Sequence, residues 1–327
     1  MNKLQIILHC LPREIDEVER ICNHLQRSSH FLQNDDKVVL DFTLNISDTL
    51  TDWSKSKLPK EFFVEKWKTI EQRSDWAECI FDINTDDTCL GCNDKRRNSI
   101  RKYSDNVTHF MYLDTDVHFS IYNLSYIFRA IEQIKNEYHI ISSQLLRLWD
   151  DSWNIISNDR FISMGVDSKV WLNFDPFAID SEVLNHSDNL SLKEIPFIKF
   201  GGGWFNVFSS NLLKFIDIPD SLSSYGLDDT FISDSANLMK QKGYDVSQYI
   251  LDNMVVCENR KYRDLNPYNN MIEDLTIDES FKQKYRDLNP YNNMIEDLTI
   301  DESFKQKYRD NAQSHYPKEI ENFKNRL

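Results

Sequence analysis

Two aspartates that lie two positions apart follow an apolar segment in the first half of the chain. Asp114 and Asp116 form an Asp-Thr-Asp pattern directly after residues 108–113, which are typical of a β-strand. Where a strand ends and the chain turns, both carboxylates can converge on one cation; a solvated turn is the alternative interpretation. Hard divalent cations prefer oxygen ligands and keep coordination positions open for phosphate oxygens. The pattern therefore predicts a site for Mn²⁺ or Mg²⁺ and a diphosphate at Asp114 and Asp116.

A second acidic pair, Asp228 and Asp229, follows Tyr225-Gly226 and precedes an apolar turn. Acidic residues at a helix start are often caps that the helix dipole favours. The functional interpretation is general-base catalysis, in which one carboxylate removes the proton of an attacking hydroxyl and the other holds the acceptor. Asp228 and Asp229 are therefore candidate catalytic residues.

Three of the seven glycines in the chain are consecutive, at positions 201–203, and Trp204 follows them. Such a run lets the backbone approach a ligand closely or lets a loop move. Trp204 could stack on the apolar face of a sugar, and a tight turn with the tryptophan in the core is the competing interpretation. This makes Gly202, Gly203 and Trp204 candidate ligand-binding residues.

The segment 91–98 (GCNDKRRN) is the most basic short stretch in the first half of the chain. Arg96 or Arg97 could neutralise a phosphate group through paired donors. The alternative is a solvated helix start.

Composition excludes several classes of partner and enzyme. The 327 residues carry a formal net charge of −15, from 38 Lys and Arg and 53 Asp and Glu, which argues against nucleic acid or an anionic membrane as the main partner. No segment approaches the roughly 20 apolar residues of a membrane span. Six scattered cysteines do not form a disulfide framework, so the expected location is the cytoplasm. The motifs of α/β-hydrolases, phosphate-loop NTPases and common dinucleotide enzymes are missing from the sequence.

Strand and helix patterns alternate along the first hundred residues, and further strand and helix patterns follow them. This alternation predicts an α/β fold with a mostly parallel sheet, in which ligands bind at the carboxyl ends of the strands. The predicted strands lie at 4–8, 38–44, 78–83, 108–113 and 139–142, and the predicted helices at 14–25, 62–72, 96–103, 122–135 and 210–215, with a further helix beginning near Asp228.

The tail, residues 261–327, contains a duplication without mismatches. Residues 261–283 recur unchanged as residues 284–306, and a third copy begins at 307–310. Two polar copies are too few for a solenoid. We predict a helical extension or an oligomer contact, in which Phe281 and Tyr285 share one helix face.

The order of these motifs resembles that of glycosyltransferases of the GT-A fold, and most of all the family 2-like group. The resemblance rests on Gly91 followed by Arg97-Asn98, on the strand that ends at Asp114-Thr115-Asp116, and on the Gly run that precedes Asp228-Asp229. It covers about residues 1–260. The fold implied is a Rossmann-like, mixed and mostly parallel sheet flanked by helices, with residues 1–116 as the nucleotide-sugar-binding half and 117–260 as the acceptor-binding half. A helical C-terminal extension follows.

On the donor side, the resemblance implies that Asp114 and Asp116 bind the metal, with no third protein ligand assigned. Arg97 and Asn98 would lie near the donor nucleotide. The further donor-binding residues are Asp94, Asp114, Gly202, Gly203 and Trp204.

On the acceptor side, Asp229 occupies the place of the family's base, and Asp228 replaces the usual Glu, which shortens the side chain by one methylene. The implied reaction is metal-dependent transfer of a sugar from a UDP-linked or similar donor to a hydroxyl of a glycan or glycolipid, with inversion.

Three alternatives stay open at this point. The chain could be a retaining transferase on the same fold, or a non-catalytic glycan-binding relative. It could also be a sugar-phosphate nucleotidyltransferase, although the segment 9–13 (HCLPR) lacks the Gly-rich basic loop expected after the first strand of such enzymes.

Overall fold

The computed structural model of the protein describes residues 2–33, 35–76, 78–115, 117–145, 190–197, 205–258 and 302–327. These residues form an α/β structure built on one nine-stranded sheet. The strands are β1 (Lys3–Cys10), β2 (Lys37–Asn45), β3 (Cys79–Asn84), β4 (His109–Leu113), β5 (Val117–His118), β6 (Tyr138–Leu145), β7 (Leu192–Ile195), β8 (Phe205–Ser209) and β9 (Val246–Glu258). The helices are α1 (Ile15–Ser29), α2 (Lys60–Arg73), α3 (Cys92–Tyr103), α4 (Asn123–Gln133), α5 (Ser210–Ile216), α6 (Asp228–Gln241) and α7 (Glu302–Arg326), with 3₁₀ turns at Pro12–Glu14 and Trp53–Lys55.

The order of the strands across the sheet is β3-β2-β1-β4-β8-β6-β9-β5, and β7 also pairs with β9. Strands β1 to β4 are mutually parallel, and β6 is parallel to β9. Strand β8 is antiparallel to both of its neighbours, β4 and β6. The prediction of a mixed, mostly parallel sheet flanked by helices is therefore confirmed. Because β1 to β4 run in the same direction, their carboxyl ends share one edge of the sheet.

Successive side chains of a strand point to opposite faces of the sheet, so the sheet divides the core into two layers. Leu4, Ile6 and Leu8 of β1 face one cluster of buried residues, whereas Ile7 of the same strand faces the other. The first cluster packs under α1, α2 and α4, and the second packs under α3, α5, α6 and α7.

The tail ends in the long helix α7, so the prediction of a helical C-terminal extension is confirmed. This helix packs against α6 of its own chain through Phe323 and the hydroxyl of Tyr316, which donates to Asp234 over 2.5 Å. An oligomer contact through the tail stays a prediction. Phe281 and Tyr285 lie outside the residues that the structure describes.

Several predicted boundaries differ from the observed ones. The helix predicted at 96–103 begins four residues earlier, at Cys92. Strands β5, β7, β8 and β9 had no counterpart in the sequence analysis. Among the helices that the structure describes, none is long and apolar enough to cross a membrane.

Candidate active site at the carboxyl edge of the sheet

Helix α3 buries a polar face, which is unusual for a helix packed on a sheet. Its buried residues include Asn93, Asp94, Lys95, Arg96 and Arg97. Burying such groups is costly unless each one finds a partner. Lys95 forms an ion pair with Asp41 of β2, so charge pairing fastens the helix to the sheet.

Position 91, directly before α3, requires a glycine because a carbonyl group approaches it closely. A Cβ atom at this position would lie 2.0 Å from the carbonyl oxygen of Ser224. The side chain of Asn93 donates to the carbonyl of Gly226 over 2.8 Å, which joins the same two segments a second time. The start of α3 and the loop before α6 are thus held together, although the sequence separates them by more than 120 residues.

The predicted donor-binding residues Asp94 and Arg97 lie in this junction and contact each other. Nη2 of Arg97 donates to Oδ1 of Asp94 over 2.6 Å, and Oδ2 of Asp94 accepts from the backbone N–H groups of Leu90 and Ser224. Asn98, by contrast, is exposed. The contact of these residues with a nucleotide stays a prediction. The arginine that reaches the acidic motifs at Asp114 and Asp228 is Arg96.

Arg96 joins the two acidic motifs. Its Nη2 donates to Oδ1 of Asp114 over 2.8 Å, and its Nη1 donates to Oδ2 of Asp228 over 3.2 Å. The guanidinium carbon lies 4.4 Å from the ring centre of Tyr112, a distance at which the cation is attracted to the ring face. The side chains of Arg96 and Asp228 are 5% and 3% exposed. One buried cation therefore connects the end of β4 with the start of α6.

Asp114 is accessible to solvent and yet surrounded by protein. Its side chain is 44% exposed, but the protein atoms around it limit its hydration. This partial burial raises the pKa of Asp114 to about 6, against the opposing attraction of Arg96. The carboxylates of Glu14, Asp228 and Asp229 raise the pKa further. Asp114 is therefore an accessible carboxylate with one arginine and three acidic side chains among its charged neighbours.

Asp228 and Asp229 form the first turn of α6, as the sequence predicted for a helix starting there. Leu227, with φ of 68°, and Gly226, with φ of 90°, make the sharp turn that leads into the helix. Asp228 is buried, whereas Asp229 is only half-buried, and Oδ1 of Asp229 accepts from the backbone N–H of Thr230 over 2.7 Å.

Four predicted site residues lie outside the described part of the chain: Asp116, Gly202, Gly203 and Trp204. Within the part that is described, no group of three or more His, Cys, Asp or Glu side chains could hold a metal ion. Asp114 is thus the accessible carboxylate that the structure offers to a cation from the Asp-Thr-Asp motif. Its hard oxygen donors and anionic surroundings fit Mn²⁺ or Mg²⁺.

Sequence reasoning missed Tyr112 and Glu14 as neighbours of the site. Tyr112 could have been found, because residues two apart on a strand share a face and Tyr112 precedes Asp114 by two. Glu14 follows β1, which pairs with β4, so its approach to Asp114 depends on the order of strands in the sheet.

Comparison with known proteins gives distant structural neighbours. No protein-family model and no curated protein matches the sequence. The solved structures similar to this chain include S. aureus TarS 1–349 in complex with UDP-GlcNAc, with 13% identity and a TM-score of 0.43 over 76% of this chain and 58% of that one. A structure of S. aureus TarS gives 14% identity and a TM-score of 0.41 over 86% of this chain and 42% of that one. A mycobacterial protein gives 10% identity and a TM-score of 0.40 over 79% and 67%.

The chain therefore spans about 58% of the length of the TarS 1–349 chain that it matches.

Proposed function

We propose that the protein is a metal-dependent glycosyltransferase that moves a sugar from a UDP-linked or similar nucleotide donor to a hydroxyl of a glycan or glycolipid. The observation that supports this proposal is the pairing of Arg96 with both Asp114 and Asp228. A group-transfer enzyme needs a donor site and an acceptor site side by side. The two acidic motifs that the sequence suggests for these roles share one counterion.

On the donor side, Asp114 would hold a divalent cation together with Asp116. When bound, this cation offsets the negative charge that develops on the leaving diphosphate. Arg96 lies against Asp114 and supplies a further positive charge at the same place. Gly202, Gly203 and Trp204 would close over the donor sugar and exclude water, which limits hydrolysis.

On the acceptor side, the difference in burial supports different roles for the two aspartates. Asp228 pairs with Arg96 as Asp114 does, but its side chain is only 3% exposed, so its carboxylate is shielded from an acceptor. Asp229 is half-buried at the start of α6 and is the better placed of the two to accept a proton from an acceptor hydroxyl. Attack by that hydroxyl from the face opposite the diphosphate would invert the anomeric centre.

The substitution Asp229→Asn tests the role of the base. We expect the rate of transfer to fall by about 10²- to 10⁴-fold, the usual contribution of general-base catalysis, while Mn²⁺-dependent binding of UDP persists. Asp105→Asn is the matched control, because Asp105 is a surface aspartate that pairs with Lys214. Normal turnover by the Asp229→Asn variant would show that the base is another group.

A screen of nucleotide sugars tests the proposal as a whole. A ligand at 100 times its Kd stabilises the folded state by about 2.7 kcal/mol, so a true donor should raise the thermal midpoint. We expect this rise to require Mn²⁺ or Mg²⁺ and to disappear in Asp114→Asn. If no nucleotide sugar stabilises the protein with either metal, the proposed function is wrong. The anomeric configuration of the product, read by NMR, separates inversion from retention.

A further inference from the structure

An arginine on α1 contacts the backbone directly after Asp114. Nη2 of Arg20 donates to the carbonyl of Val117 over 2.8 Å and to the carbonyl of Thr115 over 3.3 Å. Nε of the same side chain donates to Oε2 of Glu17 over 2.7 Å. One planar guanidinium thus holds the carbonyl of Thr115, inside the Asp-Thr-Asp motif, and the carbonyl of Val117, directly after it. The guanidinium is itself held by a carboxylate one turn earlier on its own helix.

The Arg20–Glu17 pair is poorly explained as a stabilising ion pair alone. The two side chains are 12% and 10% exposed, so both charges have lost most of their hydration. Replacing such a pair by apolar residues is often neutral or even stabilising, which makes a buried salt bridge weak evidence for a role in stability. What distinguishes this pair is its geometry. Nη2 of Arg20 donates to both carbonyls while Nε donates to Glu17, so one rigid plane fixes all three contacts. Lysine has a single donor nitrogen on a flexible stem and cannot make the carbonyl contacts from a plane that a carboxylate orients.

A residue one turn after Arg20 on α1 makes a second contact with the chain that follows Asp114. The ring of His24 packs edge-on against the ring of Phe119, with 4.7 Å between the centroids. Val117, which carries the second of the two carbonyls, and His118 after it pair with the end of β9. The chain after Asp114 is therefore fixed by strand pairing at 117–118, by ring packing at 119, and by Arg20 where the segment leaves β4.

We propose that Arg20 is a positioning residue for the Asp-Thr-Asp motif, with Glu17 orienting its guanidinium. Two carboxylates converge on one cation only if the backbone between strand and turn is held in one conformation. A residue that orders this backbone before the ligand arrives lowers the entropic cost of binding. The consequence for donor binding rests on the proposed function, whereas the ordering of the backbone does not.

The experiment compares Arg20→Lys with Arg326→Lys. Arg326 is the matched control, because its Nη2 also donates to two backbone carbonyls, those of Phe215 and Ile216, at the end of α5. Lysine keeps the charge at both positions and removes the fork. Two readouts are measured for each full-length variant: hydrogen exchange of amides 113–118 without metal, and the affinity for Mn²⁺ with UDP by titration calorimetry.

We expect Arg20→Lys to speed exchange at 113–118 and to weaken Mn²⁺–UDP binding by about 10- to 100-fold, the range typical for residues that orient metal ligands. Arg326→Lys should change neither quantity. Glu17→Gln keeps Arg20 and should shift both readouts in the same direction by a smaller factor, which preserves the test where Arg20→Lys does not fold. With kinetics, the loss should appear mainly in the KM for the donor.

Two outcomes separate the possible failures. If Arg20→Lys or Glu17→Gln folds and matches Arg326→Lys in both readouts, Arg20 only supports its helix and the inference is wrong. If Arg20→Lys speeds exchange at 113–118 but the unsubstituted protein binds no nucleotide with Mn²⁺, the ordering role stands and the proposed function fails.

Discussion

Arg96 donates to Asp114 over 2.8 Å, and this salt bridge joins the middle of α3 to the carboxyl end of β4. The same guanidinium contacts Asp228 at the start of α6. The acidic motifs at Asp114 and Asp228, which are 114 positions apart in sequence, therefore share the buried side chain of Arg96 as their counterion. A ligand that binds at Asp114 would change the charge balance at Asp228 as well, so the two acidic motifs are electrostatically connected.

Substitution of Arg96 by Gln should destabilise the fold and abolish transfer. It leaves the carboxylate of Asp228, which is 3% exposed, without its counterion. Removing one partner of a buried ion pair typically costs about 3–5 kcal/mol. Denaturant unfolding measures this loss, and a UDP-release assay measures activity.

Arg101→Gln on the same helix is the control for that experiment. Arg101 is 41% exposed and pairs with the exposed carboxylates of Asp217 and Asp220. Exposed pairs of this kind contribute about 0–1 kcal/mol each. Equal destabilisation by the two substitutions would contradict a special role for Arg96.

Tyr112→Phe should leave stability unchanged or raise it slightly. The hydroxyl of Tyr112 is buried without a hydrogen-bond partner, so its removal relieves an unsatisfied group at a gain of up to about 1–3 kcal/mol. The ring that contacts Arg96 is kept. Tyr112→Leu removes the ring and should destabilise the protein. Unfolding midpoints of the two variants provide the comparison, and a clear loss in Tyr112→Phe would mean that the hydroxyl has a partner in solution.

A histidine pair at the opposite edge of the sheet predicts acid sensitivity. Nε2 of His109 lies 2.9 Å from Nε2 of His139. Burial, and then the neighbouring His139, lowers the pKa of His109 to about 3, and burial also lowers the pKa of His139. In the unfolded chain both histidines bind protons as the pH falls through about 6.5, whereas in the folded state they remain neutral at that pH. The contribution of the neutral pair to the free energy of unfolding is therefore fully present above about pH 6.5 and is lost progressively as the pH falls towards 3.

The stability of His109→Gln, measured by urea unfolding between pH 7 and pH 4, tests this expectation. Its slope against pH should be smaller than that of the unsubstituted protein, by at most about 1.4 kcal/mol per pH unit for one histidine. His30→Gln is the control, because His30 is exposed. An unchanged slope in His109→Gln would show that the pair titrates normally.

Deletion of residues 261–283 should not affect the stability of the folded protein. Residues 284–306 repeat the deleted sequence, so the sequence at the junction is unchanged. Tyr316 and Phe323, which fasten α7 to α6, lie beyond both copies. The thermal midpoint of the deletion variant should equal that of the full chain.

Phe323→Ala is the matching positive control for the role of α7. Phe323 is 3% exposed and contacts Phe215 and Phe231. Truncating a buried phenylalanine typically costs about 3–5 kcal/mol. If the deletion of one copy is as damaging as Phe323→Ala, the repeat contributes to the fold.

Elements with a strong local pattern were predictable. The apolar spacing of α1 and the apolar runs of β1, β2 and β4 depend on periods that can be read in one sequence window. Strands β8 and β9 were missed for a different reason. Every residue of β8 is buried, and β9 pairs with β5, β6 and β7 along its length, so the identity of both strands depends on neighbours that are remote in sequence.

The sequence by itself determined which chemistry the chain carries: acidic residues at the end of a strand and at the start of a helix, and a basic segment before them. Only the tertiary structure decided that Arg96, and not Arg97, reaches Asp114 and Asp228. Neighbouring residues on a helix point about 100° apart, since a turn contains 3.6 residues. Which of two adjacent arginines faces the site is therefore set by how α3 packs on the sheet, and that packing depends on partners from the whole length of the fold.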